Sequence, residues 1–263
     1  MATVYDVLAY IESFAPTYMK EDWDNVGLNC GWSGKEVNKI LVALDPFENV
    51  CKEAYEIGAD LLVTHHALVW KAGFINDFDV QGRNTLFLIQ NNIAHINAHT
   101  NLDCAPNGVN DQLARRLGLC NIQVIEPKGQ DEEGHPWGLL RMGDVEPCRM
   151  IDFLHTVKES LGCDGLRFVD SDKTVSRVAV GGGACASEIM QAVAAGCDTF
   201  VTADVRYNQF WDAKALGINL IDAGHFHTED PVCDYLVAKL QEGFPNIEVV
   251  RSVQHTDCAE FFL

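Results

Sequence analysis

The chain lacks most of what marks membrane, secreted and nucleic-acid-binding proteins. No stretch approaches the roughly 18 consecutive apolar residues of a membrane-spanning helix, and the opening Met-Ala-Thr-Val-Tyr-Asp carries no basic and apolar leader. Lysine and arginine total 19 against 38 aspartates and glutamates, and no basic run relieves the formal charge of −19. Such a charge repels nucleic acid and anionic lipid and argues against either as a partner. The ten cysteines form no Cys-x-x-Cys pair and no dense framework, so they read as reduced, mostly buried thiols and not as a disulfide scaffold. These absences lead us to expect a soluble, cytoplasmic protein, and 263 residues leave room for one large or two ordinary domains.

What is present is more specific. The short apolar run Leu61-Leu62-Val63-Thr64 ends abruptly in His65-His66. A run of that kind reads as a buried strand of a parallel sheet, and ligands of open α/β sheets collect beyond the carboxyl ends of such strands. Two adjacent imidazoles there suggest a metal.

The second part of the chain repeats the first in outline. Residues 42–66 align with residues 180–204 at a constant offset, matching Val42 with Val180, Gly58 with Gly196, Asp60 with Asp198 and Thr64 with Thr202. Residues 93–98 then align with 218–223, residues 109–113 with 232–236, and residues 121–124 with 246–249, after a loop around Trp70 to Arg83 that is longer in the first copy. Ordered agreement over successive segments favours an internal duplication over chance likeness of βαβ units.

The coarse reading is α/β throughout. It predicts strands near 40–44, 61–64, 93–97, 122–125, 177–181, 199–202, 218–222 and 247–252. Helices are expected near 3–14, 47–57, 83–91, 108–117, 149–161, 186–195, 208–215 and 231–241. The acidic, turn-rich segment Pro127 to Pro147 is the natural boundary. Two similar α/β halves are therefore expected, residues 1–126 with His65, His66 and Asp103, and residues 127–263 with His225 and Glu229.

Each copy closes its third strand with a histidine and a carboxylate four residues apart, His99 with Asp103 and His225 with Glu229. The site is thus expected where the two halves face each other, with the His65-His66 pair belonging to one copy only; the other has Ala203-Asp204 in that place. Adjacent residues of an extended strand point to opposite faces. Both histidines serve one pocket if the chain is already turning, or they reach two metal ions about 3.5 to 4 Å apart. Imidazoles with carboxylates suit zinc, iron, manganese, cobalt or nickel. Two close cations need a bridging anion, for which Glu229 is the candidate, and water shared between them is hydroxide at neutral pH.

At these residues the chain resembles the NIF3 family of dinuclear metal proteins, often named GTP cyclohydrolase 1 type 2 homologs. The motifs that carry the likeness are Trp23-Asp24-Asn25-Val26-Gly27-Leu28, Val63-Thr64-His65-His66, Ala98-His99-Thr100-Asn101-Leu102-Asp103, Val178-Ala179-Val180-Gly181-Gly182-Gly183 and Asp222-Ala223-Gly224-His225-Phe226-His227-Thr228-Glu229. The resemblance implies that His65, His66, Asp103, His225 and Glu229 hold two divalent ions, with Glu229 bridging. It also implies a ring-shaped homohexamer with the metal sites facing its cavity. The chain departs from the family pattern at Ala203, where glycine is usual before Asp204, and at Asn208, where histidine usually follows the tyrosine. A proton-transfer or substrate role at that histidine is put in doubt; the ligand positions are intact.

Other residues have competing readings. His99 is expected beside the ligands, orienting Asp103 or donating to substrate. Trp23-Asp24-Asn25 either lines the pocket or caps a loop. Asp45 either contributes an acid or caps the helix after Pro46. Gly181-Gly182-Gly183 reads as a tight turn more readily than as a phosphate cradle. His227 is expected to be exposed, and His95, His135, His155 and His255 to be structural or on the surface. Lys71, Arg141 and Arg206 are candidate cations for an anionic substrate.

Three functions fit. The first is a metal-dependent hydrolase in which a bridging hydroxide attacks a purine ring carbon, as the family name suggests, or a phosphate ester, with His99 or Asp204 moving the proton. The others are a metal-handling or chaperone protein without turnover and a ring-shaped interaction scaffold with structural ions. Five protein ligands over two ions leave open positions, which favours catalysis on a small-molecule substrate, a nucleotide or phosphate ester.

Overall fold

The computed structural model describes residues 1–71 and 73–262. They form two compact units whose chain segments interleave: Met1–Ala105 with Val232–Thr256, and Pro106–Pro231 with the residues from Asp257 onward. In chain order, unit one contributes α1 (Val4–Phe14), β1 (Gly27–Cys30), β2 (Lys39–Ala43), α2 (Glu48–Glu56), β3 (Leu61–Thr64), α3 (Val80–Gln90), β4 (Ala94–Asn97) and α4 (Thr100–Cys104). Unit two begins with α5 (Val109–Arg116), β5 (Cys120–Val124), the short hairpin β6 (Gly129–Gln130) and β7 (Pro136–Trp137), then β8 (Arg141–Cys148). It continues with α6 (Met150–Leu161), β9 (Arg167–Val169), β10 (Val175–Val180), α7 (Ile189–Ala194), β11 (Thr199–Thr202), α8 (Tyr207–Leu216), β12 (Asn219–Asp222) and α9 (His225–Glu229). The chain then returns to unit one as α10 (Pro231–Gly243) and β13 (Glu248–Arg251).

Unit one is a five-stranded sheet in the order β1-β4-β3-β2-β13. Strands β4, β3, β2 and β13 run parallel, and β1 joins β4 antiparallel at the edge. The central strands read Lys-Ile-Leu-Val-Ala and Leu-Leu-Val-Thr and are almost wholly buried, the pattern of strands covered on both faces. Their ends are level, because Ala43 pairs with Thr64 and Thr64 with Asn97. Whatever follows β2, β3 and β4 therefore emerges along one edge. Helix α1 starts at a reciprocal cap, in which the Thr3 hydroxyl accepts from the Asp6 amide and the Asp6 carboxylate accepts from the Thr3 amide. Apolar residues of α2, α3 and the sheet, among them Val50, Ala54, Leu88, Leu41 and Leu62, form the core of one face.

Unit two is a six-stranded sheet in the order β5-β8-β10-β11-β12-β9. Strands β10, β11 and β12 are parallel, β9 is the antiparallel edge beside β12, and β8 and β5 are added antiparallel on the other side. One core contains Leu113, Phe153, Val157, Val178 and Ile221; the other contains Leu140, Ile189, Phe200 and Leu220. The run α6-β9-β10-α7-β11-α8-β12-α9 repeats α1-β1-β2-α2-β3-α3-β4-α4 in element type, strand order and strand sense.

The compact units do not follow the expected division into 1–126 and 127–263. Residues 127–147 are internal to unit two, because β8 is hydrogen-bonded to β5 on one side and to β10 on the other. The helix and strand α5 and β5 lie in unit two, while α10 and β13, with which the sequence aligns them, lie in unit one. The predicted strands and helices otherwise recur within a few residues; β1, β6, β7, β8, β9 and the five-residue helices α4 and α9 are additional. All ten cysteines are free, and burial pushes the Cys51 and Cys163 thiols up to about 12. Among the described residues no helix is long and apolar enough to cross a membrane.

Candidate metal centre

In unit one the carboxyl edge of the sheet gathers three histidines. After β3 the chain bends at once: the Thr64 hydroxyl donates to the His66 carbonyl, and the His66 amide donates 2.9 Å to the Leu44 carbonyl. Buried His95, on the neighbouring strand, contacts the same Thr64 hydroxyl at 2.7 Å. The turn brings His65 and His66 to one side, with ring centroids 4.9 Å apart, and His99 joins them at 5.0 and 5.4 Å. Of the two arrangements open to adjacent histidines, the chain takes the turn. Each of the three can offer one ring nitrogen within 4.8 Å of the others. Asp103, on α4, places Oδ1 3.5 Å from His65 Nε2.

Each imidazole is held from behind. His65 Nδ1 lies 2.9 Å from the Ala98 carbonyl, His66 Nδ1 lies 2.7 Å from Asp45 Oδ1, and His99 Nδ1 lies 2.9 Å from Asp24 Oδ2. A carbonyl or an ionised carboxylate can only accept, so Nδ1 carries a proton in all three rings, which turns the Nε2 side of each toward the cluster. This is the arrangement by which proteins orient metal-binding histidines. Burial pushes the Asp24 carboxyl up, but hydrogen bonds from His99 and Thr100 outweigh it and hold it well below the usual carboxylate range. Asp45 behaves likewise: burial opposes ionisation, while His255 and His66 secure it.

Unit two presents a smaller set. The single turn of α9 puts residues four apart on one face, so His225 Nε2 lies 3.0 Å from Glu229 Oε2. His225 Nδ1 lies 2.7 Å from Asp204 Oδ2. Asp204 follows β11 in the left-handed region, at φ 51°.

The glycines after β10 explain themselves by proximity. A Cβ on Gly183 would stand 2.1 Å from Glu229 Oε1 and 3.0 Å from His225 Nε2, and one on Gly182 would stand 3.1 Å from Glu229 Cγ. Their amides are engaged within the unit, Gly182 N donating to Asn110 Oδ1 at 2.7 Å and Gly183 N to Thr228 Oγ1 at 3.0 Å. The stretch is a cradle for Glu229, neither a phosphate loop nor a plain turn.

Several expectations change. His99 is bonded to Asp24 and not to Asp103, since α4 turns the Asp103 side chain toward His65. Asp24 is therefore part of the centre, through a carboxylate that also accepts from the Thr100 amide at 3.0 Å. Asp45 orients His66; it does not cap α2, whose first turn has no side-chain cap. His255 reaches Asp45 at 3.0 Å and is buried, so it is neither remote from the cluster nor on the surface. His227 is partly buried, with Nδ1 3.2 Å from the Leu161 carbonyl and Nε2 3.4 Å from Asp257. Arg141 is fully buried against Asp111 at 2.9 Å, where it ties β8 to α5, so it is not a cation for substrate. Lys71, Arg206 and Asn208 are exposed.

Two tryptophans flank the unit-one cluster. Trp70 and Trp23 stand 4.9 and 5.9 Å from the His99 ring and are 43% and 67% exposed. Their loops are joined where Asn25 Nδ2 donates to the Val69 carbonyl.

Comparison with known proteins places this geometry. The sequence profile of the family Duf34/NIF3 (NGG1p interacting factor 3) matches residues 2–258. A Clostridium perfringens protein named GTP cyclohydrolase 1 type 2 homolog is 34% identical over 97% of this chain and 98% of its own. One of the same name from Streptomyces coelicolor is 36% identical over 92% and 87%. Among solved structures, a Bacillus cereus protein related to NIF3 superposes with a TM-score of 0.93 at 26% identity, covering 100% of this chain and 99% of that one. A Staphylococcus aureus hypothetical protein also gives 0.93, at 30% identity over 99% of both chains.

Proposed function

The chain belongs to the Duf34/NIF3 family, and from that premise we propose that it is a dinuclear metal-dependent hydrolase acting on a nucleotide or phosphate ester. One observation carries the reading: the candidate ligands His65, His66 and His225 all have Nδ1 fixed by an acceptor, which leaves Nε2 as the atom that would meet a metal in each. The donors, imidazole and carboxylate without thiolate, fit zinc, iron, manganese, cobalt or nickel. The Gly183 cradle admits Glu229 Oε1 where a Cβ would stand and so seats that carboxylate beside His225.

His65, His66 and Asp103 of unit one, and His225 and Glu229 of unit two, are the residues that would hold the ions. When bound, such ions supply Lewis acidity and make water a nucleophile at neutral pH. The protein's own part is orientation and proton handling. Asp45 and Asp24 keep His66 and His99 in one tautomer. His99 Nε2, beside the ligand rings, or the half-exposed Asp204 carboxylate would move the proton. Trp23 and Trp70 offer flat walls beside His99, suited to a planar base. The name carried by the curated relatives makes the purine of GTP one such candidate.

The matched strand order of the two units supports an ancient duplication in which the final helix and strand of each copy crossed to the other unit. A homohexameric ring in the cytoplasm completes the proposal, and sedimentation of the purified protein tests the assembly. Catalysis is tested by assaying GTP, nucleoside monophosphates and phosphodiesters with and without chelator. Chelator-sensitive turnover is expected; binding of two ions without turnover of any substrate favours metal handling instead.

A further inference from the structure

We propose that His255 is a positioning residue of the metal centre, fixing the His66 imidazole through the carboxylate of Asp45. The proposal rests on His66 being a ligand. Asp45 uses both oxygens: Oδ1 accepts from His66 Nδ1 at 2.7 Å and Oδ2 accepts from His255 Nε2 at 3.0 Å. A carboxylate bonded at one oxygen turns easily about its last torsion, whose energy profile is broad. Bonded at both, it presents a fixed plane, and the ring it holds inherits that orientation. The three side chains are 10%, 16% and 4% exposed, so water is poorly placed to substitute for the second bond.

The seat of His255 is itself built. Parallel pairing of β13 with β2 sets Arg251 beside Val42, so residues 252–255 run alongside the residues that lead to Asp45. The Ser252 amide continues the ladder to the Val42 carbonyl at 2.8 Å. Buried Glu53, on α2, then gathers the turn, accepting from the Val253 amide at 2.9 Å, from the Gln254 amide at 3.3 Å and from the Ser252 hydroxyl. Asn49 donates to the Gln254 carbonyl at 2.6 Å, and the His255 amide donates to Ser252 Oγ at 3.1 Å. Phe47 stacks on the His255 ring at 6.0 Å with planes 27° apart. A segment 210 residues away from Asp45 in sequence is thus brought to the carboxylate by a strand, a buried acid and an aromatic stack.

Three full-length variants test this, by titrating metal-free protein with Zn²⁺ or Co²⁺ and following bound metal and the cobalt absorption spectrum. His255→Ala is expected to weaken binding at one ion about 10- to 100-fold, the usual cost of losing a group that orients a ligand. His255→Phe keeps the stack on Phe47 without the donor and should match the alanine variant. His255→Gln restores an N–H and should recover affinity to within about threefold of wild type, together with the cobalt spectrum. Wild-type affinity in His255→Phe overturns the proposal, and so does a glutamine variant as weak as phenylalanine. If His255→Ala fails to fold, the phenylalanine and glutamine pair decides. Wild-type protein that binds no ion overturns the metal reading and this proposal together, whereas two ions bound equally by wild type and His255→Phe overturns this proposal alone.

Discussion

The two units carry related topologies but equip their carboxyl edges differently. In unit one the candidate ligands are buried, three imidazoles are braced from behind, and both bracing carboxylates have a second donor. In unit two His225 and Asp204 are 36% and 54% exposed at the side chain, and Asp204 sits on a left-handed residue of a loop. Bracing in a dry setting is stiff, because no water competes for the carboxylate; bracing in the open is replaceable. The difference teaches that the unit-one cluster is fixed by buried partners, whereas the unit-two pair is held by a partner open to solvent.

That contrast can be broken by mutation. The largest effect is expected from ligand removal: His66→Ala should lower metal affinity about a thousandfold or more and leave no tightly held ion, while the double variant His225→Ala with Glu229→Ala keeps one ion on unit one. Elemental analysis after desalting checks this, with circular dichroism to show that the fold persists. Gly183→Ala comes next. Its methyl would meet Glu229 Oε1 at 2.1 Å on a residue at φ 61°, so Glu229 must move. One ion should be lost, with a stability cost of about 1 to 3 kcal/mol by thermal melting.

The bracing carboxylates should separate the units more finely. Asp45→Asn is expected to weaken metal binding about 10- to 100-fold, whereas Asp204→Asn, open to solvent, should change it by less than about threefold. Equal effects in calorimetric titration would show the two braces to be alike. A smaller difference concerns acid. Burial pushes the His95 pKa from 6.5 down to about 3, whereas the second copy has Leu220 at the matching place. Below 6.5 the unfolded chain takes up a proton that native His95 refuses, so this stability is full above 6.5 and is lost as pH falls toward 3. His95→Gln should flatten the acid limb of the denaturation profile by about 1.4 kcal/mol per pH unit.

Much of this was legible in the residues. The parallel strands β2, β3, β10, β11 and β12 announce themselves as buried apolar runs, and the His-x-x-x-acid spacing is one helical turn, which α9 confirms as geometry. Strand β8 was hidden because Arg141–Cys148 contains Gly143, Asp144 and Pro147 and gains its place from partners on both sides. The short helix α4 is too brief for periodicity to register. Asp103 and Glu229 could be named from spacing and family likeness, but Asp24 and Asp45 act on histidines 75 and 21 residues away, and His255 on a residue 210 away. No local pattern encodes such pairs; they exist only once strand pairing, antiparallel for Asp24 and parallel for Asp45 and His255, has brought the segments together.

The central proposal is that the residues of unit one are braced to hold metal before it arrives. Stepwise titration of metal-free protein with Co²⁺, following absorbance and bound metal together, tests it most directly. The account predicts two equivalents per chain, of which the tighter survives in the variant lacking His225 and Glu229 and disappears with His66→Ala. A tighter site that survives His66→Ala, or a wild-type chain that binds fewer than two, would contradict it.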